Sequence, residues 1–341
     1  MVVTSRIKTI VGAAALVGIL ATLANWSTIT SSLAPPPAPL QKLTIAANNV
    51  YIGSSLLYLA AAKGHFFEEG LDVTLQPHAS GADALNAALD QQADLGTAAN
   101  IPVMLATMNE RPAAIVATIF TARGVNGVVA RRDRGISTVA DLKGKVIGVT
   151  VGTDSQFVLS TMLTRQRLSS DQVRIVNIRP GNSAEALQSG KVDAVSTWEP
   201  WVTAAKKSIG ENGIEFHAES AFMANFNLVG RTDWVKANPD VVQRLLRAIL
   251  RSKRFADEHP QEAAKILVET LKIDPSAIDA IGTNYRFVVQ LDQSLLVTLE
   301  DQARWAIENK MTAQTVVPNF LSTIAVDALL AVKPDAVTIV R

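Results

Sequence analysis

From Lys42 onward, short apolar runs alternate with longer segments in which apolar residues recur every three or four positions, a pattern of strands alternating with amphipathic helices. Leu43 to Ala47 predicts a buried strand, Asn48 to Gly53 a turn, and Ser54 an N-cap for a helix from Ser55 to Lys63 that Gly64 stops. Leu71 to Pro77 alternates as a strand does, and the Ser80-Gly81 turn opens a helix reaching Gln92. Asp94 to Ala98 predicts a third strand, Pro102 opens a helix ending near Asn109, and Ala113 to Thr121 forms a further strand. Strand and helix in strict alternation imply a mostly parallel sheet with right-handed crossovers.

The next stretch repeats the scheme. Val125 to Arg131 reads as a strand entering a second lobe, Ser137 to Leu142 as a short helical turn, and Val146 to Val151 as a strand. Gly152 to Ser155 is a tight turn opening a long helix to Leu168. Val173 to Ile178, the Pro180-Gly181 turn, a helix from Ala184 to Gly190, a strand from Val192 to Ser196 and a helix from Trp198 to Lys207 follow. Between Ile214 and Leu228 the chain is expected to return to the first lobe, which makes a two-strand hinge. Pro239 to Ala256, Pro260 to Leu271, Pro275 to Thr283 and Gln293 to Asn309 read as helices that pack on that lobe.

Two segments match in detail. Gly81 leads through a helical stretch to Ala93-Asp94-Leu95-Gly96-Thr97 and then to Pro102; Gly181 leads likewise to Val192-Asp193-Ala194-Val195-Ser196-Thr197 and then to Pro200. A duplicated α/β unit predicts paired lobes, and paired lobes hold ligands between them. The expected division is 42–124 with 226–341 for the first lobe and 125–225 for the second.

Composition narrows the function classes. The 341 residues carry a net charge of +1 without long runs of one sign, which argues against nucleic-acid binding. Cysteine is absent, which removes disulfides, thiolate metal sites, a cysteine nucleophile and a lipid on an N-terminal cysteine. Arg6 and Lys8 precede an uncharged apolar stretch from Ile10 to about Trp26, the pattern of an export signal or a retained membrane anchor. Either would place the remainder outside the cytoplasm. Pro35, Pro36, Pro37 and Pro39 then read as a stiff tether, so residues 1–41 stand apart from the fold.

In a parallel α/β sheet the carboxyl ends of strands and the N-termini of helices face one crevice. The turns that converge there are Asn48 to Ser55, Ser80 to Asp83, Thr97 to Asn100, Gly152 to Ser155 and Trp198 to Pro200. Their unsatisfied N-H groups suit an oxyanion, each terminus contributing up to ~2 kcal/mol. Trp198 is a candidate pocket wall, and Asp154 or Glu199, if either faces the cleft, calls for a positive group on the ligand. Ser54, Ser80, Asp83, Thr153, Asp154 and Ser155 also read as ordinary helix caps. No metal-ligand spacing links His65, His78, His217 and His259; His78 alone sits at the expected cleft edge. No catalytic constellation emerges, and no metal or cofactor is expected.

Three motifs carry a resemblance: Ala60-Ala61-Ala62-Lys63-Gly64-His65-Phe66-Phe67-Glu68-Glu69-Gly70-Leu71-Asp72-Val73, Asp141-Leu142-Lys143-Gly144-Lys145-Val146-Ile147-Gly148-Val149, and Gly190-Lys191-Val192-Asp193-Ala194-Val195 with Trp198-Glu199-Pro200. The chain resembles the extracytoplasmic solute-binding proteins of ABC importers for nitrate, taurine and aliphatic sulfonates, which share a fold with thiamine-precursor binding proteins. The resemblance implies a bilobed α/β periplasmic-binding-protein (type II) fold, a periplasmic location, a small solute clamped between lobes, delivery to ABC permease subunits, and a monomer. By motif it implies ligand contacts at Asn49, Tyr51, Ser80, Gly81, Thr97, Ala98 and Thr121 in the first lobe. The second lobe would supply Gly152, Thr153, Asp154, Ser155, Trp198 and Glu199. A binding protein is the leading expectation. A pyrimidine-precursor binder, a synthase-like enzyme and a membrane-tethered solute sensor remain open as alternatives.

Overall fold

The computed structural model describes residues 39–217, 223–273 and 285–340. The export or anchor segment, Pro35 to Pro37 of the tether and the predicted helix from Pro275 to Thr283 lie outside the described residues. Among the described residues no helix is long and apolar enough to cross a membrane.

Among the described residues, eleven strands form two mixed sheets. The first sheet contains β1 (Gln41–Asn48), β2 (Leu71–His78), β3 (Leu95–Ala99), β4 (Ala113–Arg123), β10 (Met223–Arg231) and β11 (Tyr285–Gln290), in the order β11-β4-β10-β3-β1-β2. The second contains β5 (Asn126–Arg131), β6 (Val146–Val149), β7 (Arg174–Asn177), β8 (Ala194–Trp198) and β9 (Gly213–His217), in the order β7-β6-β8-β5-β9. β2-β1-β3 and β7-β6-β8 are parallel trios. Each trio is followed by an antiparallel strand, β10 in the first sheet and β5 in the second. The two copies seen in the sequence therefore fold alike. The chain leaves the first sheet at β4, builds all of the second, and returns as β10.

Helices connect the strands: α1 (Ser55–Ala62), α2 (His65–Glu68), α3 (Gly81–Leu89), α4 (Asn100–Met108), α5 (Asp154–Arg165), α6 (Ser183–Gln188) and α7 (Trp201–Ile209). After β10 come α8 (Thr232–Ala237), α9 (Pro239–Glu258), α10 (Pro260–Leu271), α11 (Gln293–Glu308) and α12 (Asp327–Val332). Gly64 takes the left-handed conformation, φ +73°, that ends α1. α8 and β11 answer to no periodicity in the sequence reading. Val242, Leu245, Leu246 and Ile249 of α9 and Leu299 of α11 lie in one core with Leu43, Ile45, Leu57 and Phe320. A second core under the other sheet gathers Val128, Ile147, Leu159 and Leu163. Full burial of each such side chain stabilises the fold by about 1.5–3 kcal/mol.

The repeated aspartate explains why both copies keep it. Asp94 accepts a hydrogen bond from the Thr44 N-H at 2.8 Å, and its own N-H donates to the Thr44 carbonyl at 2.9 Å. Asp193 does the same with Val146, at 2.9 and 2.8 Å. In each copy the residue entering the third strand of the trio locks onto the first strand with side chain and backbone together. That fixes the relative register of the two strands whose carboxyl ends face the crevice.

Glu68 and Glu69 are ion-paired. Glu69 meets Arg247 at 2.7 Å and Arg251 at 3.1 Å, and Glu68 meets Arg251 at 2.6 Å. The Nδ1 of His65 is 2.9 Å from the Ser252 hydroxyl. The first of the three resemblance motifs thus docks the returning helix α9 onto the start of the sheet.

Candidate functional site

A cleft lies between the two sheets, walled by both. Its empty space, counted out to the mouth, is about 500 Å³. From the first sheet and its turns come Asn48, Tyr51, Ser80, Gly81, Ala82, Ala99, Pro102, Ala224, Asn225 and Phe226; from the other side come Asn126, Thr153, Asp154 and Trp198.

The aromatic wall is built locally and then braced at long range. β1 ends at Asn48, whose side-chain oxygen accepts from the N-H groups of Val50 at 2.9 Å and Tyr51 at 3.0 Å. That turn swings the Tyr51 ring inward, where it meets Phe226 edge-on at 5.1 Å and Phe120 at 5.7 Å. Trp198 joins the same cluster from the second sheet. Burial is the main reason the Tyr51 hydroxyl holds its proton well above the usual tyrosine range.

Thr97 stands behind this wall rather than in it. Its hydroxyl oxygen accepts from the Asn48 N-H at 3.1 Å and lies 3.2 Å from the Ser54 hydroxyl. Ser54 accordingly makes no side-chain cap to α1. Ser80 does cap α3, accepting from the Asp83 N-H at 3.1 Å and donating to the Asp83 carboxylate at 2.8 Å. The Ser80 hydroxyl proton is thereby committed. The Ala84 N-H bonds to the Ser80 carbonyl, while Gly81 and Ala82, in the first turn whose N-H groups have no partner within the helix, line the cleft. A Cβ on Gly81 would lie 3.2 Å from both the Ala98 Cα and the Phe226 ring, so glycine lets the ring close over the helix terminus.

Across the cleft, Thr153 precedes α5 without capping it through its side chain. Its hydroxyl donates to the Thr150 carbonyl at 2.6 Å and lies 2.8 Å from the Ser155 hydroxyl. Asp154 begins α5, is 6 % exposed, and accepts from the Ile101 N-H at 3.3 Å. This bond links the N-terminus of α4, on the first-sheet side, to that of α5. Burial pushes the Asp154 carboxyl up to about 7, against the smaller opposing pull of the Ile101 N-H.

That shift has a stability consequence. In the unfolded chain the group titrates near its ordinary 3.8, so the folded protein keeps the proton longer as pH rises. Its contribution is complete below about pH 4 and is lost as the pH climbs through about 7, by up to about 4 kcal/mol. Urea melts from pH 4 to 8 should therefore show Asp154→Asn gaining on the parent protein as pH rises. Parallel stability curves for the two would exclude a carboxyl buried in this way.

Of the residues expected at the ligand, Tyr51, Ser80, Gly81, Thr153, Asp154 and Trp198 come together on the cleft wall. Asn49, Thr97, Ala98, Thr121, Gly152, Ser155 and Glu199 are not part of that wall. Ala98 and Thr121 are strand residues paired with Asn227 and Asn225 of β10. Gly152, at φ +76°, turns the chain into α5. Ser155 is fully buried beneath Thr153 and receives the Ser196 hydroxyl on its carbonyl at 2.8 Å. The Glu199 carboxylate accepts from the Thr203 N-H at 3.2 Å, at the start of α7. His78 also lies away from the wall. Trp198 does not open a helix: β8 extends to it because Thr197 and Trp198 pair with Gly127 and Asn126 of β5, and α7 begins at Trp201 after Pro200.

The wall also contains residues that the sequence did not single out, chiefly Asn126, Asn225 and Phe226, together with Asn48 from the first of the converging turns. Asn225 and Asn227 flank Phe226 in a strand that is otherwise apolar and buried, and an asparagine in such a strand was the available signal.

Comparison with known proteins gives a consistent picture. A family profile described as NMT1/THI5 like matches residues 52–263. A Bacillus subtilis protein named for binding aliphatic sulfonates is 28 % identical over 277 residues, covering 78 % of this chain and 83 % of its own. The alkanesulfonate-binding protein SsuA of Xanthomonas axonopodis pv. citri, solved bound to MOPS, superposes with a TM-score of 0.73 at 19 % identity, covering 84 % of this chain and 99 % of its own. The desulfurization enzyme DSZB superposes at 0.60 with 18 % identity, covering 86 % and 99 %. The two structural likenesses speak to the fold.

Proposed function

We propose that this chain, which belongs to the NMT1/THI5-like family and has the bilobed periplasmic-binding-protein fold, is the extracytoplasmic solute-binding component of an ABC importer. Its solute is small, carries an oxyanion of the sulfonate type, and is held between the two sheets. The observation that carries this reading is a cleft walled from both sides, with the N-termini of α3 and α5 at its surface and, among the described residues, no lysine or arginine in its lining. An oxyanion there is met by main-chain N-H groups, each terminus adding up to about 2 kcal/mol in a partly buried setting. Micromolar affinity needs about 8 kcal/mol, which two termini, the carboxamides of Asn48, Asn126 and Asn225, and an aromatic wall supply in order of magnitude.

Binding rather than catalysis fits the state of the hydroxyls. That of Thr153 donates to the Thr150 carbonyl, and that of Ser80 is taken up in the cap of α3, accepting from the Asp83 N-H and donating to the Asp83 carboxylate. A ligand touching both walls stabilises the closed arrangement, because only there do all its contacts form. Export by the N-terminal segment would place this capture in the periplasm, next to a permease.

The test is a melting-temperature screen of the purified protein against ethanesulfonate, taurine, nitrate, bicarbonate and an aminopyrimidine, followed by small-angle scattering with each hit. At a hundredfold excess over Kd a bound solute adds about 2.7 kcal/mol to stability. At least one sulfonate is expected to raise the melting temperature and contract the particle. Measured turnover of a solute, or unchanged melting and scattering with all of them, would overturn the reading.

A further inference from the structure

The polar groups of the cleft are unbalanced in a way that bears on which solutes it admits. Asp154 is a carboxylate at 6 % exposure, and among the described residues its one hydrogen-bond donor is the Ile101 N-H at 3.3 Å. Among the described residues no lysine, arginine or histidine lines the cleft. The titratable side chain that faces Asp154 is Tyr51, which adds like charge if it ionises and so offers no relief. Asn126, on the β5 position opposite Trp198, is 5 % exposed, and its side-chain oxygen is buried with no partner. Two buried acceptors thus line one small space, Asp154 with a single long hydrogen bond and the Asn126 oxygen with none, and an under-satisfied buried polar group carries a desolvation cost.

Resting on the reading of this cleft as the solute site, we propose that Asp154 and Asn126 select solutes that present N-H donors, a protonated amine above all, and discriminate against solutes that are anionic only. The oxyanion end of such a solute lies against the helix termini, and the donor end lies against Asp154. A solute with acceptors alone would leave both side chains unpaired and place its charge near a second negative charge. A sulfonate without an amine would bind best where Asp154 is protonated, and an amine-bearing one where it is ionised. The donor can come from an alkylammonium group or from an amino-heterocycle; the chemistry facing Asp154 is the same.

Calorimetry on the full chain at pH 6 and pH 8 tests this with taurine, ethanesulfonate, which is taurine without its amine, and a 4-aminopyrimidine. Taurine or the aminopyrimidine is expected to bind about 10- to 100-fold more tightly than ethanesulfonate at pH 8, the range for a hydrogen bond to a charged group. Which of the two binds identifies the source of the donor. From pH 6 to pH 8 taurine should tighten and ethanesulfonate weaken. Asp154→Asn should abolish both trends and bring the two affinities together. If that variant fails to fold, the opposite pH trends of the parent protein decide the matter alone. Ethanesulfonate binding as tightly as the amine-bearing probes at pH 8, or a preference that survives in Asp154→Asn, overturns this proposal and leaves the solute site standing. Failure of every probe, ethanesulfonate included, overturns the site and the proposal with it.

Discussion

Gly96→Val is expected to cost at least about 3 kcal/mol of stability and to lower the melting temperature by roughly 5–10 °C. A Cβ at this position in β3 would sit 2.4 Å from the carbonyl oxygen of Ala84 and 3.2 Å from the Ala88 Cβ, both in α3. The obstacle is backbone, so no rotamer change relieves it, and α3 must move off the sheet. The small residues beneath, Ala46, Ala84, Ala87 and Ala93, form a cluster of their own that permits this close approach. The duplicated unit supplies an internal control. Counting from Asp94 and Asp193, Gly96 corresponds to Val195, and the two copies have exchanged the glycine between partner strands: Ala46 pairs with Gly96, whereas Gly148 pairs with Val195. Thermal and urea unfolding of Gly96→Val should therefore show a large loss. A melting curve matching the parent protein would mean that α3 is not held as close as the distances state. Because Gly81 and Ala82 of α3 line the cleft, solute affinity should fall with it.

Trp198→Ala is expected to weaken solute binding by about tenfold or more and also to destabilise the protein by about 3–5 kcal/mol. From sequence alone one expects a wall residue whose loss leaves the fold untouched. In the structure Trp198 is 9 % exposed and packs in the cluster with Tyr51, Phe120, Val125 and Phe226, so its ring belongs to the core between the sheets as well as to the cleft. Calorimetric titration and a urea melt on the same sample separate the two losses. Affinity unchanged in a variant that is clearly destabilised would assign Trp198 to packing alone. Trp198→Phe, which keeps an aromatic face, should recover part of both.

The alternation of strands and helices was legible because each segment is long enough for its period to register, and the duplicated aspartates were legible because identical hydrogen bonds require identical residues. The chain passes from β9 (Gly213–His217) in the second sheet to β10 (Met223–Arg231) in the first, within the stretch where a return was expected. Other features were hidden for definite reasons. β11 exists by pairing with β4, a partner more than 150 residues earlier by roughly any count of a long-range contact, and its short sequence Tyr285–Gln290 carries no strong pattern of its own. Trp198 reads as a helix start from the proline that follows, but antiparallel pairing with Asn126 decides its conformation. The turn after β1 offered two adjacent asparagines. Asn49 was expected at the ligand, whereas Asn48 lines the cleft while its oxygen also holds the Tyr51 turn. Phe226 reaches the cleft only because β10 lies beside β3, where it sits opposite Ala99.

The path of the chain between the sheets also dictates an order of assembly. β5 to β9 are consecutive and complete their own sheet, whereas β10, which joins β4 to β3 in the middle of the other, begins only at Met223. During synthesis from the N-terminus, the second sheet has all its strands before the first can close. The earlier strands must then wait with open edges until a later one fills the gap, which makes that interval the stage most exposed to misassembly.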